Sequence, residues 1–361
     1  MNKYVQVLLL ALFAVAIQHV ANLAYIYLSF GNTIVRHYPG KCEQVKGITT
    51  HGAEDITLLP TGQAIITSGL TGFAEEFDYS TNTANGQLYV VNTTGDTSIA
   101  HKLTLLDWPV GEHFEPHGID HWLHENNSIS VFVVLHMPER VARFLYDGEG
   151  MLTLTKIYEN SKFMKNLNSV FCTGEDSFYL SNLMHARFRD KFMAFIEFIL
   201  YMPISNVVYV EGDNYQSAVD GLHLPNGLTG DNRYVYVATK GAVKVFSRRF
   251  DNTLKLYKFI PLNIGSIDNI KLDSAGNLWL GCQNILGETI EYMKDPSNRK
   301  CHSTVIRVKD PLGAAELESV FADDTSLIQA ATVGIYSEGK LLIGSINDKL
   351  ITCDVNYLSE P

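Results

Sequence analysis

Six short hairpins spread along the chain constrain its fold more than any other feature of the sequence. They are Asp55–Gly69 (DITLLPTGQAIITSG), Gly118–His136 (GIDHWLHENNSISVFVVLH), Asn168–Asn182 (NSVFCTGEDSFYLSN), Gly227–Thr239 (GLTGDNRYVYVAT), Asn269–Cys282 (NIKLDSAGNLWLGC) and Thr332–Ser345 (TVGIYSEGKLLIGS). Each has a polar start, an apolar strand, a turn and a second apolar strand. Successive starts lie 63, 50, 59, 42 and 63 residues apart, near the per-blade length of a propeller. A repeated hairpin cannot bury its open face alone and needs a neighbour; a closed ring gives every unit one and protects the strand edges. Beyond residue 42, β-branched and aromatic runs separated by Gly, Asn, Asp and Pro carry the all-β signature. The pattern predicts an all-β, six-bladed β-propeller over residues 31–361, behind a hydrophobic segment at 1–30.

Charge narrows the partners. A formal net charge of −11, with no Lys/Arg run, argues against nucleic acid, whose phosphates ask for a basic face. Five cysteines, Cys42, Cys172, Cys282, Cys301 and Cys353, show no zinc spacing. Cys42 follows the N-terminal apolar segment and Cys353 lies eight residues from the C-terminus, so a bridge between them would tie the ends of a ring together; five buried thiols in a reducing compartment is the alternative.

Val5–Phe30 is apolar except for Gln6, Gln18, His19, Asn22 and Ser29, long enough to span a bilayer. Ala14-Val15-Ala16 also resembles a signal-peptidase site. Anchor or cleaved signal, either sends the chain into the secretory pathway, membrane-anchored or secreted, where disulfides persist. The glycosylation sequons at Asn92 and Asn126 fit that route. One later segment breaks the β pattern: Phe192–Met202 (FMAFIEFILYM), within an insertion at about 187–202, reads as a helix ended by Pro203. It either packs over one propeller face or lies in a lipid interface.

The chemistry is read from what stands before each hairpin. Glu54 precedes and Asp55 opens the first, His117 precedes the second, Asn168 opens the third, Asn226 precedes the fourth, and Asp268 and Asn269 flank the start of the fifth. In a propeller, equivalent positions of successive inner strands meet at one level of the central channel. Glu54, Asn168, Asn226, Asp268 and Asn269 are all hard oxygen donors, which suit Ca²⁺ and not a transition metal. Taken singly, each is an ordinary turn residue; their shared phase within the repeat points to a metal site.

Cys42–Gly69, Pro116-His117-Gly118-Ile119, Pro225-Asn226-Gly227, Asp268-Asn269-Ile270, Trp279–Cys282 and Lys340–Cys353 together resemble the paraoxonase/arylesterase family over about residues 40–354. The resemblance implies a six-bladed propeller, a Cys42–Cys353 bridge with Cys282 free, two calcium ions, and hydrolysis of lactones and aryl esters. It assigns the catalytic calcium to Glu54, Asn168, Asn226, Asp268 and Asn269, and a water-activating dyad to His117 and His136. The second ion falls to Asp55, the Ile119 carbonyl and position 169, where an acidic residue is expected and Ser169 stands, so that ion should bind weakly or not at all. Leu183-Met184-His185 likewise departs from an expected acidic residue and His, which places the tuning of the dyad in doubt. Two functions follow as alternatives: a calcium-dependent hydrolase, with a lipid surface met through the N-terminal segment and helix 192–202, or a membrane-anchored chaperone assisting ion-channel assembly in the endoplasmic reticulum.

Overall fold

The computed structural model describes residues 3–28, 34–70, 86–187, 190–262 and 264–355. Six antiparallel blades form a ring, each built outward from an inner strand: Ile56–Leu58, Pro116–Leu123, Leu167–Gly174, Leu228–Gly230, Ser266–Leu272 and Ala331–Ser337 for blades 1 to 6. Blade 2 gains a fifth strand, Thr104–Leu106, parallel to Met151–Tyr158. The ring closes in blade 6, whose outermost strand is Cys42–Gln44 from the start of the chain. It pairs with Ile351–Asp354 with Cys42 opposite Cys353, and the two are joined by a disulfide. Cys172, Cys282 and Cys301 are buried and unbridged.

The strand sequences explain the ring. Side chains alternate across a strand, and each blade is buried on both faces. Along Gln63–Ser68, Ile65 packs towards blade 2, while Ala64 and Ile66 pack towards blade 6. Along Ile129–Leu135, Val131 and Val133 face blade 1, and Phe132 and Val134 face blade 3. Middle strands therefore carry runs of consecutive apolar residues, such as Val131–Leu135. An apolar cluster fills the gap between every two neighbouring blades, so no blade has a core of its own.

Three helices occur among the described residues. The first, Lys3–Leu28, is unburied and apolar enough over Lys3–Tyr25 to cross a membrane by length and composition; the expected boundary at residue 30 lies outside the described residues. The second, Lys191–Ile199, starts where Asp190 caps Met193 N–H. It is shorter than the expected Phe192–Met202, because the chain turns at Tyr201, in the left-handed region at φ 50°, before Pro203 is reached. Its one acidic residue, Glu197, is buried and accepts from His185 and Ala186 N–H at 2.9 and 2.8 Å. The third helix, Leu286–Lys294, corrects the all-β reading of that stretch; Leu286, Thr289 and Tyr292, spaced three apart, are its buried side. The second and third helices both follow strands that return to the mouth where the inner strands begin. The first helix joins them there: His19 Nε2 lies 2.9 Å from the Ile199 carbonyl oxygen, and Tyr27 stands against Gly287. We call this mouth the upper one.

Candidate active site

Backbone irregularity at one level assembles the site. Pairing with the next strand slips between Pro116 and Ile119, between Leu167 and Val170, and between Ile267 and Ile270. Such bulges re-aim side chains and are common beside functional sites. Here they let Asp268 and Asn269, which a regular strand would send to opposite faces, stand at the same end of the channel. The glycine after each of two site residues does the rest. A Cβ on Gly118 would meet the Asn168 carbonyl oxygen at 2.4 Å, and one on Gly227 would meet Asn269 Cα at 2.7 Å. With glycine there, neighbouring inner strands close in and bring His117 and Asn226 to the axis.

All the residues expected at the upper level are found together. Glu54, His117, Asn168 and Asn269 are buried, with Asn226 and Asp268 partly so. His117 Nε2 stands 3.5 Å from Glu54 Oε1 and 3.4 Å from Asn168 Nδ2. Asn269 Nδ2 donates to Glu54 Oε1 at 2.8 Å and to its carbonyl oxygen at 3.0 Å. Asp268 Oδ2 accepts from Gln283 Nε2 at 3.1 Å. What remains is a set of buried oxygens with no hydrogen-bond partner: Glu54 Oε2, Asn168 Oδ1, Asn226 Oδ1 and Asn269 Oδ1. Native interiors seldom leave such groups unmet. Four of the five expected calcium ligands therefore offer an unmet oxygen, and the donor set fits a hard divalent cation. Among the described residues no three of His, Cys, Asp and Glu gather as a transition-metal site would require.

The electrostatics agree. Burial pushes the Glu54 carboxyl up to about 7, against the Asn269 hydrogen bond. Burial, followed by the charge of Glu54, pushes Asp268 up to about 7 as well. Two buried carboxylates that resist ionising together are what a cation would relieve.

The histidines form a chain. His117 Nδ1 and His136 Nε2 are 2.7 Å apart, and His136 Nδ1 is 2.8 Å from Glu139 Oε1. The other Glu139 oxygen accepts from Leu167 N–H at 2.7 Å. Burial, then the neighbouring His136, lowers the pKa of His117 to about 3. Burial also works to lower that of His136, but the charge and hydrogen bond of Glu139 outweigh it and raise the value. Glu139 is a site residue that sequence reading missed; its one local trace is its position three after His136. The altered stretch 183–185 stands apart from this chain: His185 is within 2.9 Å of Lys165 Nζ, and Asn182 ties Phe163 to Asn206.

The second expected ion site lies one layer down the channel. Asp55 is fully buried, and burial pushes its carboxyl up to about 6 against the pull of Lys271. Ser169 does not turn towards it; its hydroxyl accepts from Leu228 N–H at 3.1 Å. A cavity of about 680 Å³ opens at the lower mouth, where Thr57, Asp120, His121 and Lys271 line it. It holds none of the upper residues, so its size says nothing about the chemistry above.

Fold and site together define a closed six-bladed propeller with a histidine pair and a ring of oxygen donors at one mouth of its channel. The chain belongs to the arylesterase family, whose model matches residues 34–355. It is 30% identical to human serum paraoxonase/arylesterase 1 over 325 residues and 29% identical to chicken serum paraoxonase/arylesterase 2 over 330, each match covering 87% of this chain and 88% of the relative. Among solved structures, a gluconolactonase from Xanthomonas campestris superimposes with a TM-score of 0.51 at 13% identity, covering 90% of this chain and 99% of that one. A luciferin-regenerating enzyme does so with 0.52 at 12% identity, covering 89% and 97%. These two share the fold.

Proposed function

We propose that the chain hydrolyses lactones and aryl esters with a calcium ion held by Glu54, Asn168, Asn226, Asp268 and Asn269. The observation that carries this reading is the set of four unmet buried oxygens beside a hydrogen-bonded Glu139–His136–His117 chain. Family membership and relatives named paraoxonase/arylesterase support the reaction class. When bound, the ion supplies a Lewis acid for the substrate carbonyl oxygen and for the charge that develops there.

The protein's own groups move the proton. With its Nδ1–H donated to His136, His117 keeps a lone pair on Nε2, which the nearby Asn168 amide favours. A water positioned there gives its proton to Nε2 as its oxygen bonds to the carbonyl carbon. The Nδ1 proton passes to His136, whose positive charge Glu139 stabilises. As its bond to carbon breaks, the leaving alkoxide or phenoxide takes that proton back from His136 by way of His117 Nε2. His117 is a poor resting place for a proton and His136 a good one, so the transfer runs outward from the substrate.

A lipid surface is the second partner proposed. The exposed Phe192, Met193, Phe195 and Leu200 lie at the upper mouth with the unburied N-terminal helix. Asn92 and Asn126, the two sequons, are exposed at the lower mouth, where glycans would clear a membrane. The same observation supports the membrane-held chaperone as the second reading. Turnover of phenyl acetate and a lactone panel, with and without Ca²⁺, decides between them. We expect hydrolysis that chelation abolishes and Ca²⁺ restores better than Mg²⁺, which prefers a tighter octahedral shell. A wild type that turns over nothing on the panel at any calcium concentration sinks the hydrolase and favours the chaperone.

A further inference from the structure

Below the upper layer, the channel carries a side chain that the repeat pattern did not flag. Lys271 lies two residues beyond Asn269 on the inner strand of blade 5, so it points to the same axis one layer down. Its Nζ is 2.8 Å from Asp55 Oδ1, 3.0 Å from Asp55 Oδ2 and 3.3 Å from the Ile119 carbonyl oxygen. An ammonium has three N–H donors, and this one has three acceptors. Asp55 is met on its remaining sides by Ile56 N–H at 2.9 Å and Ile119 N–H at 3.0 Å. The Lys271 side chain is only 12% exposed.

The two protein groups expected to hold a second calcium are thus already engaged, and the third, Ser169, is turned to the backbone of blade 4. Calcium asks for six to eight oxygens, whereas this centre offers one carboxylate and one carbonyl, both bound to an ammonium. Charge balance weighs against a second ion too. Asp55 with Lys271 is neutral, while Asp55 with Ca²⁺ would leave a buried excess of positive charge beside a lysine that cannot withdraw without losing its partner.

We infer that Lys271 is a built-in cation standing in the second metal site, so that the chain binds one divalent ion at most. The lower layer then needs no ion to fold, and the blades it joins (1, 2 and 5) are tied by a covalently attached charge. This concerns the centre next to the proposed catalytic one and does not depend on the hydrolase reading.

Counting calcium by mass spectrometry of the full-length protein, equilibrated with millimolar Ca²⁺ and then desalted, tests it directly. A count of one or zero per chain supports the inference, and zero would at the same time refute the calcium centre proposed above. A count of two overturns the inference. Two variants test the stand-in itself. Lys271→Met keeps the length of the side chain and leaves Asp55 buried without its cation. We expect its melting temperature to fall by about 5–10 °C with no recovery in excess Ca²⁺; an unchanged temperature overturns the inference. Ser169→Asp combined with Lys271→Ser removes the ammonium and adds a carboxylate. This double variant should bind one more calcium than the wild type and regain stability when Ca²⁺ is added. If its count does not rise, the lower layer is not a cation site and the inference fails.

Discussion

Glu54 and Asp55 are consecutive carboxylates, both buried at the axis of one propeller, yet their surroundings differ in kind. Around Glu54, buried oxygens on Glu54, Asn168, Asn226 and Asn269 have no partner. Around Asp55, both carboxylate oxygens are bonded, each to a backbone N–H and to the Lys271 ammonium. The type of residue is therefore a poor guide to where an ion belongs. The count of unmet lone pairs is a better one, because a buried acceptor that nothing satisfies costs free energy until a cation or a donor arrives.

Substitutions that exchange the fates of the two layers test this contrast. The largest effect is expected from Asp268→Ala, which removes one of two upper carboxylates. Turnover of phenyl acetate should fall by roughly 10³-fold, together with the calcium count; a variant that keeps both would dissolve the upper centre. His117→Gln should cost about 10²-fold in turnover while calcium content and melting temperature stay at wild-type values. Full turnover of every lactone in that variant would dismiss His117 as the base.

The lower layer should answer in stability instead. Asp55→Ala strands a buried ammonium, and a loss of about 3–5 kcal/mol is expected, read by denaturant melts and unchanged by added Ca²⁺. Smaller still is the effect of pH on the chain in chelator. Glu54 and Asp268 have folded-state pKa values raised to about 7, so their protonated forms favour folding. Their contribution is present in full below about pH 4 and lost as pH rises through 7. Without calcium the melting temperature should therefore decline between pH 5 and 8, whereas saturating calcium should flatten or reverse the slope. Scanning calorimetry at three pH values shows which occurs.

Much of this contrast could be read from the sequence, and the reasons are specific. Runs such as Val131–Leu135 are apolar at every position because both faces are buried, which makes the hairpins easy to find. The upper layer declared itself because its residues share one phase in the repeat. Lys271 did not, since a lysine in Ser266–Leu272 reads as the solvent-facing half of an alternating strand; only closure of the ring shows that this half faces the channel. Glu139 lies beyond the hairpin that supplied His136, in a turn whose direction local sequence does not give. The helix Leu286–Lys294 was hidden by its low apolar content, with a single turn-spaced row as its trace.

Closure of the ring also sets a clock. Blade 6 takes its outer strand from Cys42–Gln44 and its neighbour from Ile351–Asp354, 311 residues later at the paired cysteines. At translation rates of 5–20 residues per second, roughly 15–60 s separate the emergence of the two partners. Throughout that interval the first strand has no edge to join, and the apolar faces of blades 1 and 6 are without each other. A chain folding during synthesis waits with an open seam and an unpaired Cys42 thiol. The bridge that seals the ring is therefore among the last bonds that a chain folding during synthesis can form.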